Sequence, residues 1–249
     1  RLMIKYNNTP SIVVEDNVLS PDLCEHIIGF ANNKGLKPNL INRDGEYIQD
    51  DARTSEGIFL EYGDNKVLDG VIEAFSGMCG LSPDRLEPVS IQRYLPGQEY
   101  KPHYDGFLLD EIEEMPESSK IKEGGNRCVT MIAYLNDVSD GGGTVFPVLG
   151  LAIQAVQGRV LMFGNLDENK IVHPASLHMG LPPGDGEKWI LTFWYRERTV
   201  MGIKKDIKKA ASKTKVTRVE KKPINQKEAH NKVHEKFKKI AGDRSLMPL

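Results

Sequence analysis

Cysteine is scarce in this chain: three in 249 residues, at Cys24, Cys79 and Cys128, with no CxxC pair among them. That excludes a disulfide scaffold and leaves no signature of structural zinc or dithiol redox chemistry. Nor does any apolar run approach the roughly 18 residues a membrane span requires, and the opening RLMIKYNNTP has no apolar signal core. No membrane partner is expected, secretion is disfavoured, and a reducing cytoplasm is the simplest home. Net charge is small too, at -2, but that total conceals two segments. Residues 1–200 carry 18 Lys and Arg against 30 Asp and Glu, net -12, whereas residues 201–249 carry 15 against 5, net +10. The first segment is long and apolar enough to bury a core; the second reads as a basic tail.

Two helices are expected near the start. In SPDLCEHIIGFANNKG, Ser20 can cap, Pro21 suits the first helical position, and Leu23, Ile27, Ile28 and Ala31 form a stripe closed by Gly35. Residues 65–78 place Val67, Val71, Ile72 and Phe75 at helical spacing. After Pro88 the pattern turns to short β-rich runs between Gly, Pro and Asp clusters: VSIQRYL, RCVTMIAYL, GTVFPVL, LAIQAV, GRVLMFG and KWILTFWYR. Helices followed by many short strands predict an α+β domain whose β part is a sandwich or barrel. Two polar connections are long, residues 38–57 and residues 108–126. The second is acidic at first and ends in Gly124-Gly125, which predicts a mobile lid. The tail is expected to carry an amphipathic helix over residues 227–241. It would pack on its own acidic domain, or serve an acidic partner or a dimer contact. Nucleic acid is disfavoured because no aromatics interleave the lysines.

The chemistry gathers around His103-Tyr104-Asp105. In an extended chain, residues two apart share a face, so the imidazole of His103 and the carboxylate of Asp105 can meet. His178, about seventy-five residues on, supplies a second imidazole. Two histidines and a carboxylate with open positions suit non-haem Fe(II), although the same donors also suit zinc. His173 is the rival ligand, while His26, His230 and His234 read as solvent-facing. In KWILTFWYR, alternation puts Lys188, Ile190, Thr192, Trp194 and Arg196 on one face and Trp189, Leu191, Phe193 and Tyr195 on the other. If the wholly apolar face is packed core, the first face lines a cavity in which a lysine requires an anionic partner. A dicarboxylic cosubstrate would supply it.

At these residues the chain resembles the 2-oxoglutarate- and Fe(II)-dependent prolyl 4-hydroxylases. The resemblance spans residues 10–198 and is carried by QRYLPGQEYKPHYD, RCVTMIAYLNDVSDGGGTVFP, GRVLMFGN and SLHMGLPPGDGEKWILTFWYR. It implies a double-stranded β-helix, a cupin-like jelly roll with supporting helices. It also implies that His103, Asp105 and His178 hold Fe(II), with O2 and 2-oxoglutarate as cosubstrates and ascorbate as an accessory reductant. Lys188 would bind the distal carboxylate of 2-oxoglutarate, helped by Tyr134 and Thr192. His178 is preferred over His173 because it stands in the SLHxG context, ten residues before Lys188. Tyr94, Trp194, Arg53 and Arg127 match positions resembling peptide-binding residues of the algal enzyme.

A lysine at 188 resembles the collagen and algal type, whereas RCVTMIAYLN reads closer to the hypoxia-sensing type, so no subtype is assigned. The activity implied is hydroxylation of a proline in a peptide or protein, with release of succinate and CO2; the carboxylate of Asp105 argues against halogenation. Two alternatives stand beside it. One is a hydroxylase of a free amino acid or small metabolite, the other a metal-binding jelly roll without catalysis.

Overall fold

The computed structural model describes residues 3–43, 46–114 and 123–200. The expected tail helix, and residues 115–122 of the expected lid, lie outside these described residues.

Strands β1 (Met3–Asn8) and β2 (Ser11–Glu15) form a hairpin ahead of the first helix, α1 (Pro21–Lys34). Ser20 caps α1 by accepting from the backbone of Leu23, and Gly35 closes it at φ 80°. Next come β3 (Lys37–Pro38), the small hairpin of β4 (Ile41–Arg43) and β5 (Glu46–Ile48), and β6 (Glu56–Leu60). Helix α2 (Lys66–Cys79) is capped by Asn65, whose side chain accepts from Val67 and Leu68. Then follow β7 (Val89–Tyr94), β8 (Tyr100–His103), a short α3 (Leu109–Glu114), β9 (Arg127–Tyr134), β10 (Thr144–Phe146), β11 (Leu151–Ile153), β12 (Val160–Gly164), β13 (His178–Gly180) and β14 (Lys188–Arg196).

All pairings are antiparallel. The major sheet runs β1-β2-β12-β9-β14-β7-β6-β3, and the minor sheet β11-β10-β13-β8. One cluster, including Ile12, Tyr134, Phe146, Leu161, Phe163 and Ile190, fills the space between the sheets. A second packs α1 and α2 on the outer face of the major sheet, through residues such as Ile27, Ile72, Phe75, Leu191 and Phe193. The jelly-roll expectation therefore holds, with supporting helices on one side.

Three sequence expectations are corrected. Strands β1 and β2 precede the helices, because the apolar pair Ile12 and Val14 is too short a pattern to stand out beside a helix signal. In α2 the buried stripe is Leu68, Val71, Ile72 and Phe75, with Val67 turned outward. The polar stretch 38–57 contains a hairpin and two strands of sheet rather than a plain loop.

Two devices fix the segments that carry the site. Gly141 takes φ 69°, and a Cβ there would lie 2.2 Å from the carbonyl oxygen of Pro182, so the DGGG turn closes directly on the chain between His178 and Lys188. Asn126 clasps the base of the 108–125 excursion: its side chain donates to the carbonyl of Phe107 and accepts from that residue's N–H, both at 2.8 Å.

Phe193 is fully buried, its ring 4.7 Å from that of Phe75. Phe193→Ala should cost about 3–5 kcal/mol, seen as a lower denaturant midpoint at unchanged slope.

Candidate metal centre and cosubstrate pocket

Antiparallel pairing of β13 with β8 sets His178 directly opposite His103. Asp105 follows β8 by two residues and turns its carboxylate between them: Oδ1 is 3.7 Å from His103 Nε2, and Oδ2 is 3.5 Å from His178 Nε2. The three donor atoms all lie within 4.8 Å of one another. Each imidazole is oriented from behind. Nδ1 of His103 is 2.8 Å from the carbonyl of Lys101, and Nδ1 of His178 is 2.9 Å from that of Ser176. With the proton on Nδ1, each Nε2 presents its lone pair to the common point, which is the tautomer a metal requires. Asp105 Oδ2 accepts from Thr130 Oγ1 at 2.7 Å, and Thr130 Oγ1 in turn accepts from Asn165 Nδ2 at 2.9 Å.

Electrostatics favour cation binding. Burial and the neighbouring His178 depress His103 to about 3, so its ring is neutral at physiological pH. Burial alone would raise Asp105, but the two imidazoles and Arg127 hold it below the usual carboxylate range. A buried anion flanked by two imidazoles is a donor set for a divalent ion.

The triad opens into a cavity whose lining includes Arg53, Tyr100, Lys188, Thr192 and Trp194. Lys188 is 1% exposed, no carboxylate reaches it among the described residues, and burial lowers it to about 7. Thr192 accepts from Gln92 Nε2 at 3.0 Å, and Thr144, also on the wall, accepts from Tyr134 at 2.7 Å. Because scaffold donors occupy both oxygens, each hydroxyl keeps its own proton to donate into the cavity. An ammonium with two hydroxyl donors suits a carboxylate.

Prolyl 4-hydroxylase 5 of Arabidopsis thaliana is 32% identical to this chain over 206 residues, covering 75% of this chain and 68% of that protein. The chain belongs to the prolyl 4-hydroxylases. Residues 89–196 match the family model of the 2OG-Fe(II) oxygenase superfamily. The viral collagen prolyl hydroxylase of Paramecium bursaria Chlorella virus-1, solved as a 2OG complex, has a TM-score of 0.59 at 28% identity, covering 74% of this chain and 95% of that one. A Pseudomonas putida prolyl-4-hydroxylase shares the fold, with a TM-score of 0.52 at 21% identity over 77% of this chain and 95% of that one. As a member of this family the protein is a dioxygenase that uses Fe(II), 2-oxoglutarate and O2, and the two imidazoles, the anionic Asp105 and the unpaired Lys188 fit that set.

The other expected residues divide. Tyr134 stands behind the wall and acts on the cavity through Thr144. Tyr94 faces Lys188 across the β7–β14 ladder, its ring centre 5.0 Å from Nζ, which places it at the Lys188 end of the cavity. Trp194 and Arg53 line the cavity. Arg127 stands behind Trp194, its guanidinium carbon 4.5 Å from the ring centre, and is held by Glu87, which also accepts from Arg196. His173 caps the turn before β13 by accepting from Ala175 and lies outside the triad.

Sequence reasoning missed Tyr100, whose ring stacks on His103 at 3.5 Å, and the pair Thr130–Asn165. For Thr130 a signal existed: alternation puts it on the face of Ile132 and Tyr134, a hydroxyl in an otherwise apolar strand. Nothing local points to Glu87.

Thr130→Val removes the bond that orients Asp105, and metal affinity should fall about 10–100-fold in anaerobic Fe(II) titration. His173→Ala should leave that affinity intact; the reverse pattern would invert the ligand assignment.

Proposed function

We propose that this enzyme hydroxylates a proline residue within a peptide or protein, with conversion of 2-oxoglutarate to succinate and CO2. The observation that carries the reading is the unpaired, buried Lys188 in the cavity that also holds the triad, since one cavity thereby offers a metal position and a carboxylate position. The names of the curated relatives and of the viral structure support proline as the target.

In this reading His103, Asp105 and His178 are the ligands of Fe(II). Bound Fe(II) supplies O2 activation and the oxidising power to take hydrogen from an unactivated C–H, coupled to decarboxylation of 2-oxoglutarate. The chain's own part is positional. Lys188 Nζ, with the hydroxyls of Thr192 and Thr144, grips the distal carboxylate and so fixes where the keto-acid end points. Tyr94 walls that end against water. Asp105 would supply the third protein ligand, at the position a halide would otherwise take, which favours hydroxylation over halogenation. Trp194, with Arg127 behind it, and Arg53 form the substrate's side of the cavity. An aromatic wall suits the flat pyrrolidine ring of proline, and the unpartnered indole N–H of Trp194 is a donor for a peptide carbonyl. Ascorbate belongs to the reading as accessory reductant, and the cytoplasm as its compartment, supported by three free thiols that burial raises.

The deciding assay incubates Fe(II)-loaded enzyme with 2-oxoglutarate and proline-containing peptides. Succinate and hydroxyproline should form together; succinate with hydroxylated free amino acid and no hydroxyproline in any peptide would favour the small-metabolite enzyme. Lys188→Ala should weaken 2-oxoglutarate by about 2–5 kcal/mol, and unchanged affinity would sink the carboxylate assignment. Lys188 must be charged to pair, and burial holds it at about 7 in the free enzyme. Binding therefore takes up a proton above that pH, and 2-oxoglutarate affinity should fall as pH rises from about 7 to 9, by at most about tenfold per unit. Lys188→Arg, charged throughout, should flatten the profile.

A further inference from the structure

Charge in the cavity does not balance once the reaction's own components are placed. Two cations line it, Lys188 and Arg53, against one carboxylate, that of Asp105. Under the reading above, Asp105 is committed to the metal and Lys188 to 2-oxoglutarate. Arg53 is left over. It is 5% exposed and forms no ion pair among the described residues. Its Nη1 reaches the carbonyl of Leu40 at 3.5 Å, a distance at which little bond remains, while Nε and Nη2 are buried with no acceptor at all. The indole N–H of Trp194, on the same cavity, is equally unmatched.

Arginine cannot relieve this by losing its proton, because its guanidinium stays charged in proteins. A buried unpaired cation is costly, so the complex that the enzyme is built for brings an anion. A peptide carbonyl would satisfy one N–H and leave the charge. The two donors without an acceptor are Nε and Nη2, which together form one edge of the guanidinium; both are covered in the free enzyme, so a carboxylate takes that edge, two oxygens side by side, only as the cavity opens around a bound peptide. Position fixes whose carboxylate it is. Arg53 bridges Tyr100 backbone to backbone, its guanidinium carbon stands 5.0 Å from the centre of that ring, and the ring in turn stacks on His103. The anion site is thus one aromatic ring beyond a metal ligand, within reach of a residue beside the one being hydroxylated, given about 3.3 Å of chain per residue.

We infer that the enzyme selects prolines flanked by aspartate or glutamate, and that Arg53 is the specificity-determining residue, gripping the side-chain carboxylate through Nε and Nη2. The inference rests on the peptidyl-proline reading and narrows its substrate class.

The test uses the holoenzyme and peptides that differ only in the residue on either side of one proline: Asp or Glu, their amides Asn or Gln, and Lys. Hydroxyproline is quantified by mass spectrometry, and peptide Kd is taken from quenching of tryptophan emission without O2. Acidic peptides should show KM and Kd at least about tenfold lower than their amides, with Lys peptides weaker still and kcat changed less than KM. Arg53→Gln should abolish the difference between acid and amide, and Arg53→Lys should keep part of it. Equal KM for acid and amide with the unaltered enzyme, or a preference that survives in Arg53→Gln, overturns the inference; if Arg53→Gln does not fold, the peptide comparison with the unaltered enzyme decides alone. Better turnover of free proline, or of a C-terminal proline without an acidic neighbour, would assign the site to an α-carboxylate and overturn it as well. Hydroxyproline formed equally from every peptide defeats this inference only, whereas none from any peptide defeats the peptidyl-proline reading beneath it.

Discussion

Strand β14 is buried at every one of its nine positions, and the site depends on how it divides them. Two-residue periodicity sends Trp189, Leu191, Phe193 and Tyr195 to the helix side, where they join the packed core. The same periodicity sends Lys188, Ile190, Thr192 and Trp194 to the cavity. The helix-side face anchors the strand through its packing, and that anchoring positions the charge on its other face. Slipping the register by one residue would put Lys188 into the helix interface and empty the cavity of its cation, so α1 and α2 serve the chemistry without touching it.

Polar groups around the triad are arranged in layers, each holding the one inside it. Backbone carbonyls of Lys101 and Ser176 set the imidazoles, Thr130 sets Asp105, and Asn165 sets Thr130. None of these partners is charged, so they orient the ligands without neutralising the one anion that a metal needs. At the cavity edge the logic is reversed. Glu87 holds two guanidiniums, and although burial would raise it, Arg127 and Arg196 keep it ionised; that pairing steadies Arg127 behind Trp194. The Glu87 charges are paired inside the protein, whereas the two cations that line the cavity, Lys188 and Arg53, have no ion-pair partner among the described residues.

Local pattern served well where a segment's chemistry and its periodicity were both confined to a few residues. The cap of α1 at Ser20, the two faces of β14 and the HxD pair are of this kind, because capping and strand alternation act over one to four positions. The N-terminal hairpin and the strands within residues 38–57 are not. They are short, polar or edge-placed, and exist because the major sheet offers them a neighbour; β3, two residues long, is held only by pairing with β6. Tyr94 shows the same division in one residue: its strand was legible, but which end of the cavity it faced depended on Lys188 standing opposite.

The sequence by itself therefore determined the class of chemistry. Two histidines, one aspartate and a lysine in a half-apolar strand, set within the prolyl 4-hydroxylase motifs, name their donors whatever the fold does around them. Only the tertiary structure decided which groups are left without partners. That Lys188 meets no carboxylate among the described residues, that Arg127 is claimed by Glu87, and that one edge of the Arg53 guanidinium is buried without an acceptor are facts about residues tens of positions apart. The physical reason is that the cost of a buried charge depends on everything within a few ångströms of it in space, and that neighbourhood is assembled only when the sheets close.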